Sequence, residues 1–149
     1  MEVNVVQKDD RRKIDKILVN FEDCNFEDYI GLISSINPVE TQRGIYNEYG
    51  TANAPARPFI EPTYLKNEKY LIQQVLKNLK KFESPKVFIS KLSGEMVEKI
   101  RHKIDIMKYP KLAPSTVARK GHDKLLKDTY EMYNAIKTVR RVITKWNLI

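Results

Sequence analysis

The sequence predicts an α+β fold, a small antiparallel sheet packed with one short and two long helices, with long protruding loops. Three observations predict it. Residues 63–107 carry two successive runs of apolar residues at three- and four-residue spacing. Short β-branched or alternating runs precede them at 3–6, 29–33 and 42–49. Proline and glycine gather in 50–62 and 108–121, where neither period holds. A chain of 149 residues is long enough for one domain with its own core. Within it we distinguish a mixed α/β part (1–62), a helical hairpin (63–107), and an extended segment with a C-terminal element (108–149).

In chain order, Val3 to Val6 alternate weakly and read as a first strand. Asp9 or Asp10 can cap a helix running to about Phe21, with Ile14, Ile17, Leu18 and Phe21 on one face. Tyr29 to Ile33 is apolar and partly β-branched, so it reads as a strand. Asn37-Pro38 reads as a turn, after which Gln42 to Tyr49 returns as the next strand. Gly50 then permits a backbone turn that a branched residue would resist. Thr51 to Ala54 are small and mostly polar, as suits a loop, and Pro55 and Pro58 hold Ala54 and Arg57 extended. Phe59 is a large apolar anchor, expected to plug the junction between sheet and helices.

The first long helix is expected from about Thr63 to Phe82, with Leu65, Ile72, Val75, Leu76, Leu79 and Phe82 as its apolar stripe. Ser84-Pro85 reads as a cap and first helical position. The second long helix follows to about Met107, with Ile89, Leu92, Met96, Ile100 and Ile104 on one face. Gly94 inside it is expected to serve close helix packing, since it costs about 1 kcal/mol against alanine. Residues 108–129 are poor in apolar residues and contain Pro110, Pro114 and Gly121, so they read as extended and mobile. From Thr129 a short helix and then a strand completing the sheet is the favoured reading, against a helix throughout.

Composition narrows the function classes. Charged residues make up 31% and hydrophobic residues 42%, as in ordinary globular domains. The single cysteine, Cys24, precludes a disulfide within the chain and suits a reducing cytoplasm. Glu2 follows Met1 and no run approaches the ~18 apolar residues of a membrane span, so neither secretion nor membrane insertion is expected. The net charge of +8 is uneven: residues 1–75 hold 9 basic and 12 acidic side chains (−3), residues 76–149 hold 18 and 7 (+11). The basic half can meet nucleic acid or an acidic partner, or be a solvated face of lysine-rich helices.

Catalytic chemistry is not expected. His102 and His122 lack cysteine or carboxylate companions at metal-ligand spacing, and Cys24 lacks a CxxC partner. Gly50 and Gly121 are isolated, so no phosphate-cradling loop is present. Asp9-Asp10 and Glu22-Asp23 are explained by helix capping and solvation, and Ser90 and Ser93 have no evident base. No cofactor is implied. Lys77, Lys80, Lys81, Lys86, Lys91, Lys99, Arg101, Lys103, Arg140 and Arg141 can contact phosphate without reading sequence. No aromatic residues alternate with them as a stacking platform would need.

Several stretches resemble one family. Asn47-Glu48-Tyr49-Gly50-Thr51 and Pro55-Ala56-Arg57-Pro58-Phe59 are similar to the signature of the tail-completion (neck, head–tail joining) proteins of long-tailed bacteriophages, the broad family including the lambda minor tail protein Z. Tyr29-Ile30-Gly31 resembles its apolar-Val-Gly-Ile strand, and Pro110 to Thr116 its Leu-x-Pro-Ser/Thr-Thr segment. Leu126-Lys127-Asp128-Thr129 resembles its Pro-Leu-Ile-Asp-Thr-Gly-x-Leu segment, with Leu125, Lys127 and Tyr130 where the family has proline, isoleucine and glycine. Those departures predict a continued helix after Thr129 in place of a tight turn. The match runs from about residue 29 to residue 136.

The resemblance implies a structural virion protein made in the host cytoplasm. It would form a homo-oligomeric ring, a hexamer, between the head connector or stopper and the tail tube or tail terminator. Such a ring joins tail to head and continues the DNA channel without sequence-specific contact. The assembly surface it implies comprises Glu48, Tyr49, Gly50, Thr51, Arg57, Phe59, Pro114, Thr116 and Asp128. Arg57, held in a stiff frame, is suited to a bidentate bond with a carboxylate, either Glu48 or an acid of a neighbouring subunit. Pairing across subunits would leave the melting temperature of an Arg57→Ala monomer unchanged. A basic nucleic-acid-binding accessory protein is the alternative from another class.

Overall fold

A computed structural model describes residues 25–81, 84–108 and 110–143. The expected first strand (3–6) and first helix (to Phe21), with Cys24 and the paired acids before it, lie outside the described residues. The described elements are β1 (Phe26–Gly31), α1 (Pro38–Tyr49), α2 (Glu61–Lys81), α3 (Pro85–Ile106), α4 (Pro114–Lys120), α5 (Glu131–Ala135) and β2 (Lys137–Val142). An α+β fold with a small antiparallel sheet is what the sequence predicts.

β1 and β2 pair antiparallel, from Phe26 opposite Val142 to Gly31 opposite Lys137. That register sets Asp28 directly across from Arg140. Arg140 grips the carboxylate with two bonds, Nε to Oδ1 at 2.6 Å and Nη2 to Oδ2 at 2.8 Å. Ser93 of α3 donates to the same Oδ2 at 3.0 Å, so one carboxylate ties both strands to the helix beneath them. The core lies under the sheet, where Phe59, Val97, Ile100, Ile104, Met132 and Ile136 cluster, with Ile30, Leu32 and Met107 packed against it.

The expected strand over 42–49 is a helix. Asn37 caps it, its Oδ1 accepting from the Glu40 N–H at 3.2 Å, and Pro38 occupies the first turn, where its missing N–H is no loss. Only Glu40, Gly44 and Glu48 of α1 are buried. A Cβ on Gly44 would stand 2.0 Å from Leu32 Cδ1, so the helix rides directly on that side chain. Gly94, in contrast, has nothing within 4 Å of a built Cβ and is exposed, so it mediates no close packing.

α2 and α3 form the expected hairpin. α3 buries Leu92, Met96, Val97, Ile100 and Ile104, close to the expected face. α2 does not follow its sequence pattern. Leu65, Ile72 and Leu76 are 60%, 54% and 54% exposed, whereas Thr63 and Asn78 are buried. Tyr70 donates to Glu95 of α3 at 2.9 Å, Val75 is half-buried, and Leu65, Ile72 and Leu76 face out. The side chains of Leu79 and Phe82 lie outside the described set. Within 108–129, expected to be extended, α4 starts at Pro114 and stops at Gly121, which is left-handed with its N–H bonded to Val117 O. The two residues read as breakers are the helix's start and stop. After it, a short helix and a strand follow as predicted.

Candidate assembly interface

A cleft of about 840 Å³ opens between α1, the 53–57 stretch, α4 and the approach to α5. α1 contributes Glu40, Arg43 and Asn47, which fall on one side of the helix. Arg57, Lys111, Thr116, Arg119 and Lys120 line it as well, with Leu126, Asp128 and the buried Met132.

Arg57 organises it. The residue is 8% exposed. Its backbone N–H donates to Asn47 O at 2.6 Å, its Nε to Pro110 O at 3.1 Å and its Nη2 to Lys111 O at 3.2 Å. One residue, through its backbone N–H and its guanidinium, thus joins the end of α1 to the stretch of chain leading into α4. Glu48 does not pair with it. Both Glu48 oxygens face the start of α2, Oε2 accepting from the N–H groups of Phe59 (2.8 Å) and Ile60 (3.0 Å) and Oε1 from that of Glu61 (2.9 Å). A helix start leaves such donors without partners inside the helix and favours negative charge, so this carboxylate serves as a cap borrowed from α1.

The other expected site residues divide into two sets. Phe59 is fully buried in the core. Gly50 (φ 79°) lets the chain turn where a Cβ would meet Ala56 N at 2.8 Å, and Thr51 bonds back to Ala54 in a closed turn. Tyr49 is 73% exposed, on the side of α1 away from the cleft. Thr116 and Asp128 line the cleft beside Arg57, and Pro114 opens α4 at its edge.

Charge is unevenly balanced across the cleft. Asp128 accepts from Arg119 Nη2 at 2.9 Å, and that bond holds its carboxyl below the usual range. Burial pushes the Lys120 ammonium down, with Arg119 and Arg57 adding repulsion that Asp128 partly offsets. On the α1 wall Arg43 Nη1 lies 2.5 Å from Glu40 Oε1 and 3.4 Å from Glu131 Oε2. Glu40 Oε2 is fully enclosed and has no hydrogen-bond partner among the described residues. A buried acceptor of this kind is costly unless a donor reaches it.

Glu40, Arg43, Arg119, Lys120 and Met132 were not singled out from the sequence. Their one legible signal was the Asn37-Pro38 helix start, which would have set Glu40, Arg43 and Asn47 on one side. The expected continuation of helix after Thr129 is replaced by a turn: Tyr130 is left-handed (φ 62°, ψ 1°) and α5 begins after it. Of the basic residues, Arg140 is held by Asp28, Arg101 by Glu98 and the Ile136 carbonyl, and Lys99 lies over the Tyr70 ring.

Among the described residues, no three His, Cys, Asp or Glu side chains are grouped so as to hold a metal ion, and no helix is long and apolar enough to cross a membrane. No protein-family model, curated protein or solved structure matches the chain.

Proposed function

We propose that this chain is a structural virion protein of a long-tailed bacteriophage, assembling as a hexameric ring at the head–tail junction. There it joins tail to head and continues the DNA channel. One observation carries the reading. The stretches that resemble the neck-protein family are separated by up to about 80 residues, yet Asn47, Arg57, Lys111, Thr116, Leu126 and Asp128 from four of them line a single cleft.

Tyr130 adds support. It holds the left-handed conformation at the position where the family has glycine, the residue that adopts it without strain. A turn at this position is what the resemblance implies, although Tyr130 departs from its glycine. The rival reading, a basic nucleic-acid-binding accessory protein, loses force because Arg101 and Arg140 are spent on internal bonds.

Mass photometry of the purified chain and of isolated necks tests the proposal. We expect a monomer or weak oligomer alone, and multiple copies in a closed ring at the neck. One copy per particle would overturn it. Steep, salt-dependent DNA binding by the lone monomer would favour the rival.

A further inference from the structure

The side of α2 turned away from the core carries Leu65, Ile72 and Leu76, each more than half exposed. At about 100° per residue, these three fall within about 40° of one another around the helix. Exposed Glu68 and Lys69 lie on the two edges of the stripe, so its middle is apolar and its rims carry charges of both signs. A surface of this kind asks for an apolar covering and favours neither an acidic nor a basic one. The outer face of the sheet offers less: there Tyr29 and Val139 sit among Glu27, Lys137 and Arg141.

We propose that residues 10–21 of this same chain cover the α2 stripe. Their sequence predicts a helix with Ile14, Ile17, Leu18 and Phe21 on one face. The two surfaces match in length, since Asp10 to Phe21 and Leu65 to Leu76 are each twelve residues, about 18 Å of helix. The place where the described chain begins sets the direction. Asn25 accepts from the Ile143 N–H at 2.6 Å, at the end of the ladder where Arg140 lies over the Phe26 ring and donates to Lys86 O at 3.2 Å. That end is beside the first turn of α3, and so beside the end of α2, which stops at Lys81. β1 then runs toward the start of α2, where a Cβ on Gly31 would stand 3.5 Å from Ile60 Cδ1. β1 and α2 therefore run in opposite directions. A segment that turns into β1 through 22–25 lies alongside α2 in the same sense, with Phe21 toward Leu76 and Asp10 toward Leu65. Four extended residues reach about 13–14 Å, enough to pass around a helix about 10–12 Å across. The contact lies within one chain, so it stands or falls independently of the ring.

The test replaces Phe21 with the photo-crosslinker p-benzoylphenylalanine, aromatic for aromatic, in the full chain. Dilute purified protein is irradiated and the cross-linked peptides are mapped by mass spectrometry, with gel mobility separating links within one chain from links between copies. The expected result is a link within the chain to α2 around Ile72 and Leu76, lost when Ile72→Asp and Leu76→Asp are added. Thermal melting of chains without the probe gives a second readout. Ile72→Asp and Leu18→Asp should each lower the melting temperature, and the double variant should lose less than the sum of the two. Links to the outer face of the sheet or to α1 would overturn the proposal, as would links between copies or no link at all. So would a melting temperature unchanged by Ile72→Asp, the result expected of a stripe that nothing covers, or fully additive losses.

Discussion

Glu48 divides two oxygens among three backbone N–H groups, so its loss strands donors at the start of α2. Glu48→Gln keeps the shape but turns one acceptor into a donor facing those N–H groups. It should lower stability by about 1–3 kcal/mol in urea unfolding, the penalty for unsatisfied buried groups. Phe59→Ala removes a fully buried ring from the centre of the core and should cost about 3–5 kcal/mol by the same measurement. A loss below about 1 kcal/mol would mean that the ring is accessible in the monomer. Arg57 no longer belongs with residues whose removal spares the monomer. Its side chain closes two carbonyls 53 and 54 residues away, so Arg57→Ala should visibly lower the melting temperature. An unchanged melting temperature would mean that these bonds contribute little and that Arg57 acts between subunits.

At the scale of elements, Asp28 is the joint between β1, β2 and α3. Its bond to Arg140 holds the carboxyl below the ordinary value near 3.8, with burial opposing and Ser93 assisting. A depressed carboxylate contributes stability that is present above its unfolded pKa and is lost as pH falls through the folded one. Acid unfolding of the wild type should therefore include a loss beginning near pH 4, and Asp28→Asn should be less stable at neutral pH by about 1.5–3 kcal/mol with a shallower acid limb. An acid limb unaltered by Asp28→Asn would exclude the pair as its source. The same scale explains what the sequence hid. α3 was legible because its buried positions are apolar and helically spaced. α1 was not, because its buried positions, Glu40, Gly44 and Glu48, recur every fourth residue without an apolar side chain among them. Ile45, Tyr46 and Tyr49, which read as strand, are its exposed face. α2 was legible as a helix and misleading as to its face, since periodicity reports that a stripe exists and not what covers it.

Across the whole molecule, the cleft was half legible. Arg57, Thr116 and Asp128 stood out in the sequence, but the α1 wall they face could not be seen while 42–49 read as strand. The sheet has a separate consequence, for the order of events as the chain is made. Asp28 and Arg140 are 112 residues apart, and every rung of the β1–β2 ladder spans a comparable distance. Such contacts form slowly, because a long loop must close before any of them is gained. Among the described residues β1 has only β2 to pair with, so that pairing must wait until Lys137–Val142 has been made. The helical hairpin can fold meanwhile, but a chain ending before Lys137 has no strand β2 to offer. Closure of the sheet therefore reports that synthesis has passed β2.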